Sequence, residues 1–454
     1  MHRCAASWMV ALSLAAAASE LDAAAPGSPP WYVALGGSNT CGHHVNVGRT
    51  YAALVGEKLR ARGLAVGVAN KCAPAMGPDY ASTCLEALLP AGGTRFATVE
   101  YLPNMRIRPE EQRLAFETIL CALLARGTRI VIVEVSVPPI APLRKALDLK
   151  LHEDNLAFAH RMGVPVITVS SVLHPELFRS GHLNEAGHAL VAKFASRKFA
   201  NPAVDRQLRG DGSSAPPPLP LPRTSCAVGE ALMDHVLINS TEGFAPVDIS
   251  GSAPAVAGAK PGRAPSSTFK KIAWESRSPG AQLVLCARAL STFKNGEGVI
   301  LLGFQKSHRF NTPPVGIAQV RCVGCNCTLL DYHGNHSATC DATTPGAPSC
   351  TVDLLHDALT TETAFELLRA TLAPGRGVAG SLAGASRAGG ESCSCEVHVT
   401  GFPHASRTRV LVRALVVTSS DMAHGAARAA RAAASAVEAR RRLALLAMGP
   451  VLLR

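Results

Sequence analysis

Between residues 30 and 200, short unbroken apolar runs alternate with longer stretches of helical period. Trp31–Leu35, Leu64–Ala69, Phe96–Tyr101, Arg129–Val137 and Pro165–Ser170 read as strands. Runs such as Ile130-Val131-Ile132-Val133 are apolar at every position, the pattern of strands buried on both faces of a parallel sheet. Thr50–Arg62, Pro109–Arg126, Lys150–Met162 and Asn184–Phe199 read as the intervening helices. The second of these opens on Pro-Glu-Glu, which suits a helix start, and sets Leu114, Phe116, Ile119, Leu120 and Leu123 on one apolar face. Alternation of this kind predicts βαβ units and a three-layer α/β/α sandwich with a parallel sheet over residues 30–203.

The pattern then changes. Residues 204–223 form a linker rich in Pro, Ser and Gly, stiffened by polyproline II in Pro216-Pro217-Pro218-Leu219-Pro220. Beyond it come short strands with Gly, Pro and Ser turns: Phe269–Glu275, Gln282–Ala287, Gly298–Phe304, Ile317–Val323, Cys395–Thr400 and Thr408–Val417. Their spacing predicts a mainly-β, sandwich-like or jelly-roll domain over residues 224–420. Residues 421–454 are an Ala/Arg-rich tail, read as a solvated helix-prone segment. Its arginines among alanines also allow weak contact with a membrane surface.

The ends and the cysteines place the chain in the secretory pathway. Met1-His2-Arg3 precedes an apolar run from Ala5 to Ala18, and alanine triplets at 16–18 and 23–25 offer cleavage sites. Residues 1–25 therefore read as a signal peptide, since the run is shorter than the roughly 20 residues of a membrane span. Of 14 cysteines, Cys4 would leave with that segment. The odd number remaining implies one unpaired thiol or an intermolecular bridge. Sequons at Asn239, Asn326 and Asn335 fit the same oxidising, glycosylating route. Cys322-Val323-Gly324-Cys325-Asn326-Cys327 has zinc-ligand spacing, but disulfides suit a secreted chain better, so no metal ligands are assigned.

Composition narrows the classes of partner. The 454 residues are 47% hydrophobic and 17% charged, which is globular rather than disordered. A net charge of +12 would attract acidic glycans or nucleic acid. Aromatic residues are only 5%, however, and offer no stacking platform for bases, so a nucleic-acid partner is not expected.

Candidate chemistry gathers where strands of such a sheet end. Val33-Ala34-Leu35-Gly36-Gly37-Ser38-Asn39 runs from a strand into two glycines and a serine, so the Ser38 hydroxyl can stand clear of bulk. The same turn suits Ser38 or Asn39 as a helix cap. Asn104 follows the third strand, and an amide there can serve an oxyanion or simply a turn. His182 precedes the last helix, either as a base for Ser38 or as a helix-entry residue with Asn184 as cap. His188, on that helix, reads as structural.

These blocks resemble the GDSL/SGNH hydrolase superfamily of esterases. Gly36-Gly37-Ser38-Asn39-Thr40 is similar to its first block, Gly77 in Ala75-Met76-Gly77-Pro78 to the second, Asn104 to the third and His182 to the fifth. The resemblance covers about residues 30–200. Leu302-Gly303-Phe304-Gln305-Lys306-Ser307 and Gln319-Val320-Arg321-Cys322 are similar to the second domain of some algal two-domain forms. It implies an SGNH/flavodoxin-like fold and hydrolysis of carboxylic esters, such as acetyl esters of a glycan or small lipid-like esters. Ser38 would be the nucleophile and His182 the base. Ser38, Gly77 and Asn104 would hold the oxyanion, and no cofactor is implied. The departures are Gly37 for Asp, Leu102 for Gly, Met105 for Asp, and Arg179 for the triad acid. Glu176, His174 or a backbone carbonyl would then have to orient His182 in a Ser-His dyad. The alternative is a catalytically degenerate glycan-binding protein.

Overall fold

The computed structural model describes residues 29–200 apart from 106–108 and 137–141. In the second half it describes 225–237, 241–248, 272–276, 278–288, 297–308, 317–330, 340–341, 349–353, 355–356, 362–372, 393, 395–402 and 410–419. Residues 1–25, read as a signal peptide, the expected linker 204–223 and tail 421–454, and the sequon residues Asn239 and Asn335 lie outside the described residues.

The first half runs β1 (Trp31–Gly36), α1 (Ser38–Cys41), α2 (Tyr51–Arg60), β2 (Gly67–Cys72), α3 (Pro78–Thr83), α4 (Leu85–Leu88) and β3 (Thr94–Glu100). It continues with α5 (Pro109–Ala125), β4 (Arg129–Ser136), α6 (Pro142–Met162), β5 (Val166–Ser170), β6 (Phe178–Arg179), β7 (His182–Leu183) and α7 (Glu185–Phe199). β1 to β5 form one parallel sheet in the order β2-β1-β3-β4-β5. Alternate residues of each strand feed two cores. Val33, Leu35, Val99, Ile130 and Ile132 pack with Phe116, Ile119, Leu120 and Leu123 of α5 and Phe158 of α6. Tyr32, Ala34, Phe96, Val131 and Val133 pack with Val55 and Leu59 of α2 and Val191 and Phe199 of α7. This is the three-layer α/β/α sandwich that the apolar runs predict.

Two boundaries differ from those the hydropathy pattern suggests. β2 starts at Gly67 and ends at Cys72 rather than covering Leu64–Ala69, because it follows the register of β1 from Trp31↔Gly67 to Gly36↔Cys72. α6 begins at Pro142, earlier than its apolar period suggests. Thr50 and Asn184 are N-caps, their side-chain oxygens accepting from Ala53 N–H at 3.3 Å and Gly187 N–H at 3.1 Å.

The second half is all β, with β8 (Ser225–Val228), β9 (Phe244–Asp248), β10 (Ile272–Ser276), β11 (Gln282–Cys286), β12 (Glu297–His308), β13 (Ile317–Val323) and β14 (Cys325–Leu330). They are followed by β15 (Cys340–Asp341), β16 (Ser349–Asp353), β17 (Leu355–His356), β18 (Glu362–Leu372), β19 (Glu396–Phe402) and β20 (Val410–Ser419). One sheet is ordered β14-β18-β12-β20-β10-β9 with β8 on β20 and β17 on β12; the other is ordered β11-β19-β13-β16-β15. Leu283, Leu285, Val320, Val397 and Val399 of the smaller sheet share a core with Ile300, Leu302, Phe304, Val412 and Leu415 of the larger. The domain is therefore a sandwich of two sheets. β8, β9 and β14 to β18 were not expected from sequence. The strong helix formers in Glu362–Leu372 are held in a strand by pairing with both β12 and β14.

Disulfides join Cys41–Cys72, Cys84–Cys226, Cys286–Cys393, Cys322–Cys327 and Cys325–Cys395. Cys121 is also disulfide-bonded, and no described cysteine is free, so the unpaired thiol that the odd count suggested is not among these residues. Cys84–Cys226 bridges the two halves. Around it Ala73, Met76 and Tyr80 pack against Val299, Leu301, Ala414 and Val416 of the larger sheet. The sandwich thus braces the segment that follows β2. Among the described residues no helix is long and apolar enough to cross a membrane.

Candidate active site

In an open parallel sheet, groups that act on a ligand collect beyond the carboxyl ends of the strands, at the point where strand order reverses. With β2 on one side of β1 and β3 on the other, that point lies between β1 and β3. Ser38 follows β1 and Asn104 ends the 3₁₀ turn Leu102–Asn104 that follows β3.

Two glycines are needed to make the Ser38 turn. A β carbon on Gly36 would lie 2.0 Å from Thr40 Oγ1 and 2.5 Å from the Glu100 carbonyl oxygen. One on Gly37 would lie 2.2 Å from Asn104 Oδ1. Asn104 therefore rests on the backbone immediately before the serine. α1 is closed by Gly42 at φ +75°, whose N–H donates to Asn39 O at 3.1 Å while His43 N–H donates to Ser38 O at 3.1 Å. The Cys41–Cys72 bridge and Asn70 Nδ2, donating to Thr40 O at 3.0 Å, fasten this helix to β2.

His182 Nε2 lies 2.9 Å from Ser38 Oγ, and its Nδ1 lies 3.1 Å from the Ser180 carbonyl oxygen. A carbonyl can only accept, so Nδ1 carries the proton and Nε2 presents its lone pair to the serine hydroxyl. Local geometry aims that carbonyl. β6 and β7 pair Phe178↔Leu183 and Arg179↔His182 across a two-residue turn. Ser180 and Gly181 both have positive φ, +50° and +78°, as a type I′ hairpin requires. Serine in the left-handed region is uncommon, and strain of this kind concentrates where a group must be held in one orientation.

Arg179 is exposed on the strand opposite His182. His174 and Glu176 pair with one another at 3.3 Å, both more than half exposed. Of the three candidate orienters, the backbone carbonyl is the one the structure sets on Nδ1.

Two residues that sequence reasoning missed hold this arrangement from beneath. Asn39 is buried, and its Oδ1 accepts from Leu183 N–H at 3.0 Å, binding the serine turn to the histidine hairpin one residue along from the Ser38–His182 contact. Its signal was present only as a helix-cap asparagine. Glu100, the last residue of β3, is fully buried; its Oε2 accepts from Gly37 N–H at 3.2 Å and Thr40 Oγ1–H at 3.0 Å. Burial pushes its carboxyl up to about 8, with those donors opposing the rise. Nothing in the local sequence marks Glu100, because it sits in an otherwise apolar strand.

Gly77 caps α3 and lies on the same edge, since Ala73 N–H donates to Gly36 O at 2.9 Å at the start of the segment leading to it. A β carbon on Gly77 would lie 2.4 Å from Gln112 Oε1. The structure thus groups Ser38, His182 and Asn104 around Gly37 and tethers the Gly77 segment to the end of β1. His188 is apart from them. It is buried, its Nδ1 accepts from Tyr51 N–H at 3.0 Å, and burial lowers its pKa to about 4, which makes it a structural neutral imidazole.

No family model matches the chain, and no curated protein matches it. Among solved structures it is similar to esterases. A two-domain esterase active on acetylated mannans aligns at 15% identity over 86% of this chain and 91% of that one, with a TM-score of 0.44. The acetylxylan esterase Axe2 from Geobacillus stearothermophilus aligns at 16% identity over 38% of this chain and 96% of that one, with a TM-score of 0.32. The psychrotrophic esterase EstA from Pseudoalteromonas sp. aligns at 14% identity over 37% of this chain and 96% of that one, also with a TM-score of 0.32.

Proposed function

We propose that this chain is a secreted serine esterase of SGNH type that works with a Ser38–His182 dyad. The observation that carries this reading is the 2.9 Å contact from His182 Nε2 to Ser38 Oγ, with Nδ1 committed to the Ser180 carbonyl. A serine hydroxyl becomes a nucleophile when a correctly tautomerised imidazole takes its proton, and this geometry supports that step.

Ser38 Oγ attacks the ester carbonyl as its proton passes to His182 Nε2. Ser38 N–H, Gly77 N–H and the Asn104 amide stabilise the oxyanion. The tetrahedral intermediate collapses to an acyl-serine, and the alcohol leaves with the proton from Nε2. Water, deprotonated by the same Nε2, then releases the acid and restores the hydroxyl. The Ser180 carbonyl supports the imidazolium by accepting from Nδ1–H, in place of a carboxylate.

The substrate class is a carboxylic ester, with acetyl groups on a glycan or a small lipid-like ester as the leading forms. In this reading the sandwich, which packs beside the Gly77 segment, holds the glycan. The disulfides are consistent with secretion, and exposed Asn326 on β14 is a glycosylation acceptor in this reading, along with Asn239 and Asn335. The second reading, a degenerate glycan-binding protein, is favoured by Arg179 in the acid's place.

Labelling with a fluorophosphonate separates the two. The native protein is expected to label and Ser38→Ala to remain unlabelled. Absence of labelling in both, with no acetate released from acetylated mannan or xylan, would leave the binding reading.

A further inference from the structure

A second chemistry is built around His182. The rings of His43 and His44 stand 4.0 Å apart between centroids, and they lie 4.5 and 5.8 Å from the ring of His182. One nitrogen from each of the three lies within 4.8 Å of the other two. All three residues are half-buried, so an ion can reach them from solvent.

The backbone enforces this grouping. His43 is fixed by its N–H bond to Ser38 O in the closure of α1. His44 has φ +73°, a left-handed conformation that is uncommon for a residue with a β carbon. Such strain persists only where the surroundings over-determine it. Here the turn sets two consecutive imidazoles on the side of the chain facing a third.

The Ser180 carbonyl completes the pattern. Histidines that bind metals ordinarily donate their other ring N–H to a carbonyl or carboxylate, which fixes the tautomer and turns the free lone pair toward the ion. His182 Nδ1 is held in that way. Three imidazoles gathered in this way suit zinc and neighbouring late divalent metals.

We propose that His43, His44 and His182 form a site for a divalent transition-metal ion, zinc foremost. The ion and the Ser38 hydroxyl proton compete for the lone pair on His182 Nε2. Ion binding would then switch the serine chemistry off reversibly, without a covalent step. The binding half of this proposal stands on the histidines alone; the inhibitory half rests on the esterase reading above.

The test uses the full secreted chain freed of metal by chelation. Zinc titrated calorimetrically into Ser38→Ala should bind with one-to-one stoichiometry, because that variant removes the competing hydroxyl. Cobalt should give the visible absorption of a site with few ligands. The variant His43→Gln/His44→Asn, made both in the native chain and in Ser38→Ala, should in the Ser38→Ala background bind zinc at least about tenfold more weakly, the lower end of what disturbing a metal site costs. Asparagine is chosen at 44 because it tolerates positive φ, and an unchanged thermal melt would show that the fold is kept.

In the native chain zinc should slow fluorophosphonate labelling of Ser38, and in the histidine variant labelling should be equally fast with and without zinc. Equal zinc affinity in Ser38→Ala with and without the histidine changes would overturn the site. Zinc binding with undiminished labelling would overturn the competition. If the chain binds zinc and never labels, the metal site stands and the esterase reading falls.

Discussion

The Asn104 side chain lies across the α carbon of Gly37, so closely that a β carbon at position 37 would sit 2.2 Å from its Oδ1. Position 37 is where the resembling family carries aspartate, and here that side chain would occupy the space of Asn104. Gly37→Ala should therefore push the Asn104 amide off the oxyanion position proposed for it. A displacement of this size is expected to lower kcat/KM by about 10- to 100-fold. In an Asn104→Ala background the same change should cost far less. Kinetics of p-nitrophenyl acetate hydrolysis across the four proteins of the cycle check this coupling.

Asn39 is predicted to act as a positioning residue. Removing its Oδ1 in Asn39→Ala leaves the Leu183 N–H buried without its acceptor, at a cost of roughly 1–3 kcal/mol in stability. The histidine hairpin would also lose its register on the serine turn, so kcat should fall while KM changes little. Asn39→Asp keeps an acceptor oxygen and should restore much of the rate. A purely structural role would give parallel recovery of thermal stability with no change in kcat.

Arg179 should matter less than its place suggests. The Ser180 carbonyl already orients Nδ1, and an exposed guanidinium is screened by water and salt. Arg179→Ala and Arg179→Asp are each expected to change kcat/KM by less than about fivefold, a difference in barrier of roughly 1 kcal/mol. A gain of several hundredfold in Arg179→Asp would show instead that the dyad lacks an acid it needs.

Glu100 makes stability depend on pH in an unusual direction. Its carboxyl ordinarily titrates at 4.5 and is pushed up to about 8 by burial, so the folded chain binds the proton more tightly than the unfolded chain. The folded state holds the extra proton between these values, and its stability falls as pH rises from about 4.5 through about 8. Glu100→Gln cannot ionise. It should match the native protein near pH 5 and exceed it near pH 8.5 by on the order of 2–4 kcal/mol. Urea midpoints at the two pH values measure the difference.

The Cys84–Cys226 bridge closes a span of 142 residues between the two halves. Replacing both cysteines with serine should lower stability by about 3–5 kcal/mol on loop-closure grounds. Because Met76 lies in the core that the bridge closes, the change should also loosen the Gly77 segment and reduce kcat. Calorimetric unfolding together with esterase rates would show both effects.

Much of the first domain was legible because its signals are local. Ile130–Val133 is apolar at every position since β4 has helices on both faces, and Thr50 and Asn184 cap helices with the atoms their side chains carry. Ser38, Asn104 and His182 each follow a predicted strand or precede a predicted helix, so their shared edge followed from the order of elements. What sequence alone could not decide was which of Glu176, His174 or a backbone carbonyl orients Nδ1, because a particular carbonyl leaves no residue-type signal and its aim depends on the φ of Ser180. Tertiary structure alone decided three further points. Glu100 becomes a buried acid because β3 carries it beneath the serine turn. Glu362–Leu372 becomes a strand because it is paired on both sides. His43 and His44 meet His182 across about 140 residues of chain because a left-handed turn and a β-hairpin end at one sheet edge. Contacts of that kind depend on how distant segments close in space, and local side-chain pattern carries no record of them.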